Sequence, residues 1–142
     1  MIILDTNVLS ELARINPEPN VVTWLDSRPV TEIATTAITA AELLYGVARL
    51  PDGKRRAALA ETIEALLNED FRDRVEPFNS LAAGQYATVV VGRAKKGRPI
   101  SMADAQIAAI CRVHSATLAT RNIGDFTDTG IDLVDPWDAN GV

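Results

Sequence analysis

Cysteine, histidine and aromatic residues are scarce in this chain: 142 residues hold one Cys, one His and only 5% Phe, Trp and Tyr together. The lone Cys111 excludes an internal disulfide. It sits in the apolar run Ile107–Val113 and reads as a small buried hydrophobe. The lone His114 ends that run near an expected helix C-terminus, where a charge or cap suits the helix dipole. With no cysteine pair and no second histidine, a zinc site lacks its ligands. No run approaches the roughly 18 apolar residues of a membrane span. The segment Met1–Asp5 shows neither the basic region nor the apolar stretch of a secretory leader, so the expected location is the cytoplasm. Positive charge is also short. The net charge of −5 argues against coating nucleic acid by charge alone. Carboxylates gathered to hold metal ions count as negative until the ions arrive, so a metal-dependent chemistry stays open.

What the chain does have is 47% apolar and 23% charged residues, the balance of a globular protein. With no repeat or linker, one domain over residues 1–142 is expected. Short β-rich runs alternate with helical patterns. Strands are expected at Ile2–Asp5, Glu32–Thr36, Val75–Phe78, Ala116–Thr120 and Ile131–Val134. Helices are expected from Val8 to Arg14, from an Asn20 cap to Asp26, from a Thr39 cap to about Leu50, and over Lys54–Asn68. Two more follow Asn79 (Ser80–Lys95) and Ser101 (to about Val113). Strands separated by helices imply an α/β fold: an open three-layer sandwich around a mostly parallel sheet of four to five strands.

In such a sheet the C-terminal strand ends and the first turns of the following helices share one edge, where ligands bind. Four acids are expected there: Asp5 closing the first strand, Glu42 and Asp104 in first helical turns, and Asp125 after the fourth strand. Each also has a local explanation. Thr39-Ala40-Ala41-Glu42 fits a capping box, and Ser101-Met102-Ala103-Asp104 is its shorter-armed version. Asp5 suits a strand-end turn, and Asp125 an Asx-turn. Caps, however, do not require the acids to gather on one edge. Clustered carboxylates repel one another unless protonated, paired with bases or bound to a cation. Oxygen ligands without Cys or His suit Mg²⁺ or Mn²⁺.

Several segments together resemble the PIN-domain nucleases, and among them the VapC/FitB-type toxins of type II toxin–antitoxin pairs. They are Ile3-Leu4-Asp5-Thr6-Asn7-Val8, Ala41-Glu42-Leu43 with Tyr45-Gly46-Val47, Ile100–Ala108, Ala119-Thr120-Arg121-Asn122 with Asp125-Phe126, and Pro136-Trp137. The resemblance runs in order over nearly the whole chain. It implies a PIN-like sandwich and a Mg²⁺- or Mn²⁺-dependent endoribonuclease, with Asp5, Glu42 and Asp104 as acidic ligands. The fourth acid lies at the position of Asn122 in some relatives and of Asp125 in others; the charge here falls on Asp125, with Asn122 as a neutral contact. Thr6, Asn7 and Thr120 would support the site by hydrogen bonds, although Thr6 and Asn7 also suit a capped strand-to-helix turn. Glu42 would serve as a ligand or as a base for water, and hydrolysis would leave a 5′-phosphate and a 3′-hydroxyl.

Basic runs at Lys54-Arg55-Arg56 and at Arg93, Lys95, Lys96 and Arg98 read as solvated faces; the second is also a candidate guide for a phosphate backbone. Arg121 is the better candidate for a phosphate contact or for balancing the acids. Trp24 and Tyr86 read as core rather than as base-stacking platforms. The resemblance further implies a cognate antitoxin, with Val21–Leu25 and Ala41–Leu50 as candidate faces, and RNA as substrate. It also implies a homodimer and a toxin–antitoxin complex on operator DNA. Two readings compete. A phosphoryl-transfer enzyme with Asp5 as nucleophile would want a second acid two positions on, where Asn7 stands. The other is a catalytically silent binding module that keeps the fold.

Overall fold

The alternating pattern resolves, in a computed structural model that describes residues 1–138, into five strands and seven α-helices among the described residues. The expected domain includes residues 139–142, which lie outside the described residues. The strands are β1 (Ile2–Leu4), β2 (Ile33–Thr36), β3 (Val75–Glu76), β4 (Thr117–Ala119) and β5 (Asp132–Val134). They form one sheet in the order β3-β2-β1-β4-β5, and every pairing is parallel. Ile3 faces Ala34 on one side and Leu118 on the other. The sheet is covered on both faces, which explains why its strands read as apolar runs without polar alternation.

Period-two geometry divides these runs between two cores. Ile3 and Leu118 point into one, with Ala82 and Val89 of α5 (Ser80–Lys95) and Ala105, Ile107 and Ala108 of α6 (Met102–His114). Leu4 and Ala119 point into the other. That second core takes Val8 and Leu9 of α1 (Thr6–Leu12), Val21 and Trp24 of α2 (Pro19–Asp26), Leu43 and Val47 of α3 (Ala37–Ala48) and Ile63 of α4 (Lys54–Ala65). Cys111 is buried and free, and burial pushes its thiol pKa up to about 12. Tyr86 packs edge-on against Phe78, and Trp24 is 8% exposed, so both belong to the interior. No helix among the described residues is long and apolar enough to cross a membrane.

Several local expectations are corrected. Asn20 does not cap α2: Glu18 is the N-cap and Pro19 occupies the first helical turn, where its missing N–H costs nothing. Asn20 instead donates its amide to the Trp137 carbonyl at 3.2 Å. Thr39 does not cap α3. Thr36 does, in extended conformation, accepting from the Thr39 N–H at 3.1 Å. The fourth helix ends at Ala65 and continues as a π-helical stretch, Leu66–Asp70, that leads into buried Phe71. The third strand stops at Glu76, and Phe78 beyond it packs on Tyr86. A short helix, α7 (Ile123–Phe126), was hidden in a turn-like sequence. The caps expected at Asn79 and Ser101 are present, accepting from Ala82 and Asp104 N–H groups at 3.1 and 3.2 Å. His114 closes α6 and lies 3.3 Å from the Glu76 carboxylate.

Candidate active site

The strand order places a reversal between β1 and β4: the chain proceeds outward from β1 through β2 to β3, then returns to the other side of β1. At such a switch point the loops diverge and leave a crevice at the C-terminal strand ends. Asp5 and Thr120 are the residues that follow these two strands. The Asp5 N–H donates to the Ala119 carbonyl at 2.9 Å, so the last rung of the β1–β4 ladder fixes the Asp5 backbone.

Asp5 is the N-cap of α1 and only 5% exposed. Its Oδ1 accepts from the Thr6 N–H at 2.8 Å and its Oδ2 from the Thr120 hydroxyl at 2.8 Å. Asn7 completes the support. Its amide nitrogen lies 3.3 Å from both Asp5 Oδ2 and Thr120 Oγ1, and its Oδ1 accepts from the Arg121 N–H at 3.2 Å. Thr120 Oγ1 also accepts from the Asn122 N–H at 3.1 Å. Thr6, Asn7 and Thr120 therefore clamp one carboxylate and join the two strand ends.

Glu42 comes from α3. Because that helix starts at Ala37, Glu42 lies beyond its first turn, and the capping-box explanation for it fails. Its Oε1 instead accepts from the Thr6 hydroxyl at 2.7 Å. Buried Thr39 lies 3.1 Å from that same hydroxyl. Asp104 keeps the first-turn position set by the Ser101 cap. Asp5, Glu42 and Asp104 line one open cleft of about 560 Å³, with Thr6, Asn7, Arg121 and Asn122. Asp125, in α7, does not line it, yet its charge acts on both Asp5 and Asp104.

The electrostatics follow from this placement. Burial raises the Asp5 pKa; the Thr120 and Thr6 hydrogen bonds oppose the rise, and the charges of Glu42 and Asp125 add to it. Asp104 is raised the same way, by burial first, against its Ser101 bond and with the charges of Asp5, Asp125 and Glu42. Among the described residues no three acidic, imidazole or thiol side chains stand close enough to enclose a cation outright. Asp5, Glu42 and Asp104 reach the cleft from three different elements, the end of β1, α3 and α6. The donor set still fits a hard divalent cation, since oxygen ligands line the cleft and no thiolate or imidazole does.

Sequence reasoning missed four contributors. Glu11 is buried; its side chain accepts from the Glu18 N–H at 2.9 Å and pairs with Arg14 at 3.1 Å. The Glu18 bond leads the causes that lower its pKa. Glu11, Arg14, Ser10 and Trp137 all line the cleft. Spacing gave a usable signal: positions 7, 10 and 11 fall on one face of α1, leading away from Asp5. In the basic run that closes α5, Arg93 departs from the expected solvated face. Arg93 is 4% exposed and donates to the carbonyls of Arg98, Asp125 and Thr127 at 2.7, 2.8 and 3.0 Å. Lys96 and Arg98 pair with Asp128 at 3.0 and 3.4 Å, and Lys96 leads the causes that lower its pKa. Arg93, Lys96 and Arg98 thereby fasten the α7 loop. In α3, Leu43 and Val47 are core, while Leu44 and Tyr45 remain exposed.

A five-stranded parallel α/β sheet with carboxylates lining the cleft at its switch point fits the PIN domain. The chain matches that family over residues 2–131 and belongs to it. It is similar to the VapC ribonuclease Y4jK of Sinorhizobium fredii, 37% identical over 138 residues, 97% of this chain and 99% of that protein. It is also similar to toxin FitB of Neisseria gonorrhoeae, 41% identical over 137 residues, 96% of this chain and 99% of that protein. Among solved structures it resembles a chain of FitAB bound to the IR36 DNA fragment, with TM-score 0.90 and 40% identity over 97% of this chain and 96% of that one. A chain of VapBC2 from Rickettsia felis, bound to a DNA fragment from their promoter, gives TM-score 0.80 and 26% identity over 97% of this chain and all of that one.

Proposed function

We propose that this chain is the toxin of a type II toxin–antitoxin pair and a divalent-metal-dependent endoribonuclease using Mg²⁺ or Mn²⁺. The observation that carries the reading is the buried, clamped Asp5 at the sheet's switch point, sharing one cleft with Glu42 and Asp104. The names of its relatives support it, a VapC ribonuclease and a toxin, as do complexes named FitAB and VapBC2 on DNA. Its partners are then an antitoxin, RNA, a second copy of the chain and, through the complex, operator DNA.

Asp5, Glu42 and Asp104 would hold the cation, with Asp125 adding charge and Asn122 a neutral carbonyl. When bound, the ion supplies charge compensation at the phosphate and makes water a better nucleophile at neutral pH. The chain's own residues prepare this. Thr6, Thr120 and Asn7 fix the Asp5 carboxylate so that its orientation costs little at the moment of reaction. Thr6 holds one oxygen of Glu42 and leaves the other for a ligand or for the proton of the attacking water. Arg121 is the contact for the phosphodiester.

Expression without a partner, followed by sequencing of RNA 5′-phosphate ends, tests the proposal. New ends at a few sites, absent with Asp104→Asn, are expected. Identical profiles from two folded, abundant proteins would favour a silent binding module.

A linkage prediction also follows. Asp5 and Asp104 have raised pKa values in the folded state, so the native chain holds more protons than the unfolded one above the ordinary carboxylate range of roughly 4. Stability of the chelator-treated protein should therefore rise as pH falls through the raised folded-state values toward the ordinary carboxylate range. Glu11 and Asp128 have lowered values and oppose this only when pH falls through the ordinary range. Mn²⁺ at about 100 times its Kd should stabilise by about 2.7 kcal/mol at pH 7.5, and the gain should shrink toward pH 5 as protons compete. Thermal melts with and without chelator check both slopes; a Mn²⁺ gain that is constant with pH would contradict carboxylate binding.

A further inference from the structure

An RNA phosphodiester entering the cleft is an anion approaching carboxylates, so any cation left unpaired on the cleft wall matters. The wall carries two, Arg14 and Arg121. Arg14 is engaged, its Nη1 donating to both Glu11 carboxylate oxygens at 3.1 Å. Among the described residues no carboxylate stands within ion-pair distance of Arg121. Its guanidinium lies instead over the ring of Trp137, 5.0 Å from the centroid. The difference is chemical. An ion pair neutralises an arginine and occupies its N–H groups, whereas a ring beneath the guanidinium orients the plane and leaves the whole fork free.

Both partners are built in. The Arg121 backbone is tied by its N–H to Asn7 Oδ1 at 3.2 Å, one residue from Thr120 and hence from Asp5. Trp137 lies in an Asp-Pro-Trp-Asp turn closed by an Asp138 N–H to Asp135 carbonyl bond at 3.2 Å. The Asp135 side chain accepts from the Trp137 N–H at 2.9 Å, and Asn20 reaches across from α2 to the Trp137 carbonyl at 3.2 Å. The indole packs against the core that contains Val21 and Trp24. A ring held this firmly is a rigid platform for a long, exposed side chain.

We propose that Trp137 is a positioning residue, whose indole holds the Arg121 guanidinium at the cleft wall with its N–H fork free for the substrate phosphodiester. The inference rests on the ribonuclease reading above and adds to it how the phosphate contact is kept in place.

Two readouts test it on the full chain. The first needs no RNA: the Arg121 Nε–Hε proton should carry a ring-current shift that disappears in Trp137→Leu and persists in Trp137→Phe. The second is binding of a fluorescein-labelled single-stranded RNA 20-mer of mixed sequence, by anisotropy in Ca²⁺. Arg121→Ala should weaken binding about tenfold, and Trp137→Leu roughly two- to fivefold. Trp137→Phe should recover most of that loss. On an Arg121→Ala background Trp137→Leu should add nothing, because the ring acts through the arginine. A merely structural tryptophan would give additive losses and no rescue. RNA binding in the wild type that is untouched by Trp137→Leu, or an unshifted Arg121 resonance, would overturn this inference alone. A ring-current shift with no RNA binding by the wild type would overturn the ribonuclease reading and this one with it.

Discussion

Asp104→Asn should lower RNA cleavage by roughly 100-fold or more, since loss of even a supporting contact in a metal site costs about 10- to 100-fold. It should leave the metal-free protein as stable as before, or about 1 kcal/mol more stable. The two effects have one cause. Asp104 is half-buried near Asp5, Asp125 and Glu42, whose charges raise its pKa after burial has done so. Asparagine removes the repelled charge, and the Ser101 cap of α6 remains because it uses the Asp104 backbone N–H. Cleavage rates with Mn²⁺, set beside thermal melts in chelator, separate the possibilities. A destabilised variant with near-normal rates would make Asp104 a structural acid.

The largest stability effect is expected at Arg93. Its guanidinium is buried and satisfies the carbonyls of Arg98, Asp125 and Thr127. Arg93→Ala removes three charge-assisted bonds, leaves three carbonyls without their partner and opens a cavity, for a cost of about 3 kcal/mol. For a chain of this length that corresponds to a fall in Tm of about 10 °C. Arg93→Lys should recover little, because one ammonium cannot reproduce the planar fork. The loop carrying Asp125 should loosen too, so cleavage should fall further than the melt explains. Lys95→Ala, on the exposed side of the same helix, should change neither. A small shift for Arg93→Ala would show that water replaces the guanidinium.

Local chemistry was legible where one residue decides it. Asn79 and Ser101 announced their helices, since a side-chain oxygen before an apolar helical pattern has few other uses. Asp5 was legible as a strand-end acid, and the apolar strands announced a sheet covered on both faces. Thr36 and Thr39 were harder: both can cap, three residues apart, and propensity does not choose between them. The sheet chose, because Thr36 continues the β2 ladder opposite Glu76 and so must be extended. That shift freed Thr39 for the core and turned Glu42 from a cap into a cleft acid. Asn20 was misread for the same reason. Its partner, the Trp137 carbonyl, lies 117 residues away, and no local pattern contains it.

The basic residues show the limit most clearly. Arg93, Lys96 and Arg98 form a cationic run in sequence, but helical geometry turns Arg93 inward and leaves Lys96 and Arg98 to bind Asp128. Arg121 and Trp137 look unrelated in sequence and meet as cation and ring. The sequence by itself determined the element order, the α/β class, the oxygen-rich donor set and the caps on α5 and α6, because these depend on residue type and on spacing within one turn or strand. Only the tertiary structure decided which acids share a cleft, which arginine stands outside any ion pair, and which polar residues serve the core. Those outcomes depend on strand order and on contacts between distant segments, where burial and neighbouring charge are set by the fold.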